Sequence, residues 1–154
     1  MLSSEFAKAT LMPGAADLIW HLKGNGVGIA LATSSKRDNF NIKISQHGDL
    51  FALFDHIFTG DMVTNGKPHP EIFLKAAAAF TPPAEAKKCI VFEDAPNGVE
   101  AGLNAKMMVV HIPDDNLGKE HRGKATIECS SLHAFDPAQF GLPPRSMPKQ
   151  FQKA

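Results

Sequence analysis

The 154-residue sequence predicts an α/β fold, doubly wound about a parallel sheet. Uninterrupted apolar runs at residues 27–32, 89–92 and 107–112 have the length and character of strands buried on both faces. Between them lie stretches with apolar residues at helical spacing, so that strands and helices alternate along the chain. Turn signals rich in Gly, Pro, Asn and Asp separate the two kinds of segment.

Residues 1–12 carry little pattern. Pro13-Gly14 opens a helix in which Ala15, Leu18, Ile19 and Leu22 share a face, and Gly24-Asn25-Gly26 ends it. The strand at 27–32 stops at Thr33-Ser34-Ser35, and an amphipathic helix is expected from about 37 to 47. Phe51, Leu53 and Phe54 read as packing residues in a loop, and residues 56–59 as a short strand. A polar loop, 60–69, contains Gly66-Lys67-Pro68. A helix follows over 70–80 with Ile72, Phe73, Ala76, Ala77 and Phe80 inward, broken by Pro82-Pro83. The strand at 89–92 leads into Glu93-Asp94, the turn Ala95-Pro96-Asn97-Gly98 and a small-residue helix to Asn104. After the run at 107–112 come a loop at 113–116, an edge strand at 125–129 and a helical turn at 131–135. The tail from Pro143, rich in Pro, Lys and Gln, is expected to be mobile.

Sixteen basic and sixteen acidic side chains cancel, so no overall field favours nucleic acid or an anionic membrane surface. No apolar stretch is long enough to span a bilayer and residues 1–10 show no signal-peptide pattern, which leads us to expect a soluble, cytoplasmic protein. Cys89 and Cys129 lack metal-type spacing and read as free buried thiols inside strands. The seven histidines form no paired motif and read as surface or structural residues.

Open α/β sheets place ligands at the carboxyl ends of their strands. Thr33 and Ser34, at one such end and ahead of a helix, offer a hydroxyl and backbone amides to an anion, or serve as a plain helix cap. Lys67 stands before a helix N-terminus, the unfavourable end of the macrodipole for a cation, and so calls for an anionic partner, either a bound phosphate or a nearby acid. Glu93 and Asp94 end the strand at 89–92, where they either cap the next helix or hold a hard cation such as Mg²⁺. Hydroxyl, lysine and acid pair at one sheet edge together make up what a phosphate–Mg²⁺ site requires.

The stretches Met12-Pro13-Gly14-Ala15, Leu31-Ala32-Thr33-Ser34-Ser35, Gly66-Lys67-Pro68-His69-Pro70 and Val91-Phe92-Glu93-Asp94-Ala95-Pro96-Asn97-Gly98 resemble the haloacid dehalogenase superfamily of phosphohydrolases. Within it the likeness is greatest to the pseudouridine-5'-phosphatase subfamily. The resemblance runs from about residue 11 to 142, which implies a Rossmann-like core over 13–142, a remnant of a cap and its linker at 1–12, and a separate tail at 143–154. It implies that Thr33 and the Ser34 amide bind phosphate and that Lys67 bridges phosphate and nucleophile. It also implies that Asp94 is the direct Mg²⁺ ligand, with Glu93 acting through water. A phospho-acceptor receiver domain uses similar groups in a different order, acid pair first, and is set aside on that ground.

Such enzymes attack phosphorus with an aspartate of an Asp-x-Asp motif on a central strand, and the 154 residues contain no Asp-x-Asp. The resemblance therefore implies a truncated form of a Mg²⁺-dependent hydrolase of a small nucleotide or sugar phosphate, inactive as written, with both the central first strand and the substrate-selecting cap absent. The empty central slot would leave two strand edges unpaired, so that the two strands close up, another segment fills the slot, or the chain is part of a longer protein; we expect the last. The alternative is a non-catalytic chain that pairs with another chain to complete the sheet.

Overall fold

In a computed structural model, residues 2–3 and 13–145 are described, residues 2–3 by their backbone alone. Six strands form one sheet: β1 (Leu2–Ser3), β2 (Ala30–Ala32), β3 (His56–Phe58), β4 (Ile90–Glu93), β5 (Met108–His111) and β6 (Ile127–Glu128). They lie in the order β3-β2-β1-β4-β5-β6, and every pairing is parallel. The helices are α1 (Ala15–Gly24), α2 (Arg37–Ile44), α3 (Gly48–Phe51), α4 (Glu71–Ala78) and α5 (Pro96–Asn104).

Strand alternation divides the core between the two faces of the sheet. Ile29, Leu31, Ile90, Phe92, Val110 and Ile112 pack with Leu18, Ile19 and Leu22 of α1, with Phe40 of α2 and with Leu50 and Phe51 of α3. Ala32, Val91 and Val109 pack the other way, against Ile72, Phe73 and Ala77 of α4 and Val99 and Ala101 of α5. Burial on both faces is why these strands lack a polar–apolar alternation in sequence. Phe40, Phe73, Phe92 and Phe135 are fully buried, each worth about 1.5–3 kcal/mol in apolar area removed from water. Gly102 packs α5 onto the sheet, since a Cβ there would run into the Val109 side chain.

The sheet departs from the sequence reading at its centre. The slot between β2 and β4 is taken, over two residues, by β1: Leu2 pairs with Leu31 and with Phe92, and Ser3 with Ala32. The central first strand is thus present over the described residues Leu2–Ser3, which pair with both neighbouring strands. The predicted strand at 27–32 forms ladder only over Ala30–Ala32. Residues 27–29 lie ahead of the Leu2–Leu31 register; the Ile29 amide and carbonyl are met instead by the Asp55 side chain and backbone amide.

Smaller corrections concern ends and turns. The helix expected to reach residue 47 stops at Ile44, and residues read as loop contain α3. The edge strand shortens to Ile127–Glu128, so Cys129 follows it and is only half-buried, whereas Cys89 is buried just ahead of β4. The helical turn expected at 131–135 is a single hydrogen-bonded turn, in which the Ala134 N–H donates to the Ser131 carbonyl at 3.1 Å, and a 3₁₀ turn follows at Pro137–Phe140. Of the stretches read as a cap remnant (1–12) and a tail (143–154), residues 4–12 and 146–154 lie outside the described residues, while the Pro143 carbonyl meets the His21 ring and Arg145 donates to the Leu132 carbonyl. Among the described residues, no helix is long and apolar enough to cross a membrane.

Candidate functional site

The first crossovers carry α1, α2 and α3 on one face, and those entering and leaving β4 carry α4 and α5 on the other. The winding reverses at β1, with β2 and β4 on either side of it. A crevice opens at the carboxyl ends of strands at such a reversal. The residues singled out from sequence flank it: Thr33 follows β2, and Glu93 and Asp94 end β4.

Lys67 joins the two sides. Its Nζ lies 2.5 Å from Glu93 Oε1 and donates to the Ala32 carbonyl at 3.3 Å. Both side chains are nearly sealed from solvent, 4% and 1% exposed, and the Lys67 ammonium sits over the Phe73 ring at 5.0 Å. Of the two partners the sequence left open for Lys67, an acid is the one found. The loop carrying it is pinned by the Glu71 carboxylate, which accepts the Thr64 and Asn65 backbone N–H groups at 2.9 Å each. Those bonds, that from Thr64 foremost, hold the Glu71 pKa down at about 2. Asn104 on α5 donates to the Pro68 carbonyl.

Glu93 is held there by a missing side chain. Gly98, in the first turn of α5, lies against the Glu93 carboxylate so closely that a Cβ would overlap it. The second carboxylate oxygen accepts the Ala95 N–H at 3.4 Å. Neither acid caps α5: the cap position is Ala95, without a side-chain bond, so that reading of the pair is set aside. Asp94 is half-buried, and its carbonyl accepts a hydrogen bond from His111 Nε2 at 3.0 Å.

Thr33 is fully buried; its amide donates to the Phe58 carbonyl and its hydroxyl oxygen accepts the Ser35 N–H at 3.0 Å. Ser34 is exposed beside it. Neither residue caps α2, whose cap position is Lys36 and whose Arg37 amide is met by Asp61 at 3.2 Å. The Thr59 hydroxyl donates to Asp61 at 2.5 Å and keeps that carboxyl below its usual range. Gly60 permits this turn, because a Cβ there would strike the Ser34 carbonyl.

Sequence reasoning overlooked His111, Asp61, Gly60 and Gly98. His111 alone left a signal, a polar residue near the end of an apolar run. The glycines act through close approach, which spacing does not reveal.

Among the described residues no group of three or more His, Cys, Asp and Glu side chains is placed to hold a metal. A carboxylate pair on one turn suits Mg²⁺, which is commonly bound by one or two carboxylates and otherwise by water and phosphate. Of the two acids, Glu93 is paired with Lys67.

Comparison with known proteins agrees with this architecture. The chain is 49% identical over 138 residues to a probable pseudouridine-5'-phosphatase of Drosophila melanogaster, covering 88% of this chain and 60% of that protein. It is 42% identical over 146 residues to (DL)-glycerol-3-phosphatase 1, mitochondrial, of Arabidopsis thaliana, covering 93% and 49%. Among solved structures, CbbY from Rhodobacter sphaeroides in complex with phosphate superposes with a TM-score of 0.71 at 28% identity, over 79% of this chain and 54% of that one. A HAD hydrolase of family IA, variant 3, from Entamoeba histolytica superposes with a TM-score of 0.73 at 27% identity, over 84% and 59%. The chain thus spans about half to three-fifths of the length of these relatives. Residues 3–106 match the family profile of the haloacid dehalogenase-like hydrolases, and with the fold and relatives in agreement the chain belongs to that family.

Proposed function

We propose that this chain carries the phosphate- and Mg²⁺-binding part of a phosphomonoester hydrolase, for a small substrate such as pseudouridine 5'-phosphate or a glycerol phosphate. One observation carries the reading: Lys67 ties the end of β2, next to Thr33, to the end of β4, next to Asp94, across the point where the winding reverses. An ammonium has three N–H donors. Glu93 and the Ala32 carbonyl take two of them, which leaves one for a phosphoryl oxygen. Thr33 accepts from Ser35 through its oxygen and keeps its O–H to donate to the same group. The exposed Ser34 offers its amide beside it. Asp94 would meet Mg²⁺ directly, and Glu93, held by Lys67, would act on it through water; bound there, Mg²⁺ supplies charge stabilisation for the phosphoryl oxygens.

The 154 residues hold no Asp-x-Asp, so the aspartyl-phosphate step has no nucleophile among them. The chain by itself is therefore proposed to bind phosphate and Mg²⁺ without turning a phosphomonoester over. The test is calorimetric titration with Mg²⁺ and inorganic phosphate, alongside phosphate release from pseudouridine 5'-phosphate and glycerol 3-phosphate. Mg²⁺-dependent phosphate binding, lost in Asp94→Asn and in Thr33→Val, with no phosphate release, is the expected result. Absence of phosphate binding overturns the site; release of phosphate overturns the inactivity.

A second reading is that the chain does not catalyse and instead works by pairing with another chain. What favours it is a cavity of about 740 Å³ along the leading ends of β2 and β4, bordered by Val27, Ile29, Cys89 and Phe92. Sedimentation at high micromolar concentration tests self-pairing: a stable dimer supports that form of it, and a strictly monomeric, cooperatively unfolding chain rules that form out.

A further inference from the structure

β4, β5 and β6 end in register, and the register sets a polar row across the sheet. Glu93 pairs with His111, and His111 pairs with Glu128. In-register residues of parallel strands share a face, so the three side chains stand side by side on the α4–α5 side. Glu93 at one end is committed to Lys67. His111 in the middle is 1% exposed, among the most deeply buried polar residues of the fold. Its Nε2 lies 3.0 Å from the Asp94 carbonyl oxygen, and since a carbonyl only accepts, Nε2 carries the proton. Its Nδ1 faces Glu128 Oε2 at 3.8 Å. Glu128 in turn meets Arg122 Nη1 at 3.6 Å and accepts the Gly123 N–H at 3.2 Å. Arg122 closes the far end by donating to the Leu117 and Asp114 carbonyls.

We propose that His111 is a positioning residue for Asp94. The imidazole, buried between the strand ends, donates from Nε2 to the Asp94 backbone carbonyl, and this contact sets where the Asp94 carboxylate is presented. A buried polar ring at this point in an otherwise apolar strand then has a reason: an apolar residue would pack as well and would leave the Asp94 carbonyl without that donor. The inference rests on the reading of Asp94 as the Mg²⁺ ligand, and the test separates the two.

The experiment is calorimetric Mg²⁺ titration of the full chain and of Asp94→Asn, His111→Phe, His111→Leu and His111→Gln, each with a thermal melt. Loss of an outer partner of a metal ligand commonly weakens metal binding about 10–100-fold. His111→Phe is accordingly expected to weaken Mg²⁺ binding about 10-fold. His111→Gln, whose amide N–H can reach the same carbonyl, is expected to restore binding at a melting temperature similar to that of His111→Phe. That rescue separates positioning from mere packing. Wild-type affinity in His111→Phe, with binding lost in Asp94→Asn, overturns the inference and leaves the Asp94 reading standing. Wild-type affinity in Asp94→Asn overturns the Asp94 reading and the inference with it. Should His111→Phe fail to fold, His111→Leu, which also lacks the donor, carries the test. A several-fold loss of affinity supports the inference, and no change overturns it.

Discussion

Replacing Lys67 by Met keeps an apolar stem over Phe73 and removes the charge that Glu93 faces. Glu93 is then a carboxylate with 1% of its side chain exposed and no cation at hand. Breaking a buried pair from one side commonly costs about 3–5 kcal/mol, because the survivor stays charged and desolvated. Glu93→Gln strands the ammonium in the same way, with some relief because Lys67 keeps its bond to the Ala32 carbonyl. A cost of about 2–4 kcal/mol is expected there. Removing both charges takes away the cause of both penalties, so the double variant should recover about 2 kcal/mol or more of the summed single costs. Urea unfolding at constant slope is the assay, with the shift in midpoint giving each difference. Against a domain stability of about 5–15 kcal/mol these are large effects, and the titrations belong at low temperature. Single costs below about 1 kcal/mol, or strictly additive ones, would refute the view that these two groups hold each other in a low-dielectric site.

Three further outcomes follow from the same geometry. Gly98→Ala should destabilise by about 2–4 kcal/mol in urea, although alanine is worth up to about 1 kcal/mol in a helix, because its methyl drives the Glu93 carboxylate off Lys67; a stabilised variant would remove that account. Glu71 has a folded pKa of about 2 against an ordinary 4.5, so its stabilising effect is present above pH 4.5 and fades as pH falls toward 2. Glu71→Gln should therefore flatten the loss of stability across that window, and an unchanged acid profile counts against the capture of the Thr64 and Asn65 amides. Phe73→Ala should cost about 3–5 kcal/mol as a large buried side chain lost beneath Lys67, measured by the same unfolding curves.

How much of this was legible in the chain depends on the range of the cause. The strands of β4 and β5 declared themselves because a strand buried on both faces must be apolar throughout, and the helices α1, α4 and α5 because each presents one apolar face. Residues 27–29 were over-read as strand for want of one fact: whether a partner lies alongside to pair with them. The helix α3, a single turn, is too short to show a period. Lys67 and Glu93 could each be picked out as needing a counter-charge, yet they stand 26 residues apart and only the sheet order brings them together. Gly98 and Gly60 are functional by absence of a side chain, and a sequence records such an absence without saying what fills the space.

A buried lysine–glutamate pair is a poor way to gain stability. Two well-packed apolar side chains of similar volume commonly do as well or better, since neither must be stripped of water. This core shows how readily the apolar solution was available, with Val91 and Phe92 immediately before Glu93 and Phe73 beneath Lys67. The pair is also held deliberately: Gly98 leaves room for the carboxylate, the Ala95 amide reaches its second oxygen, and the Ala32 carbonyl fixes the ammonium. Such support around a pair that packing did not require argues that its place matters more than its energy. That place is the reversal point of the winding, between Thr33 and Asp94, where a lysine with one donor to spare can neutralise a phosphoryl group. The same reasoning applies to His111, a polar ring where valine would pack, which donates to the Asp94 carbonyl. Polar groups that cost stability and are nevertheless built in with care, all along one edge of one sheet, are what the proposed phosphate site would require.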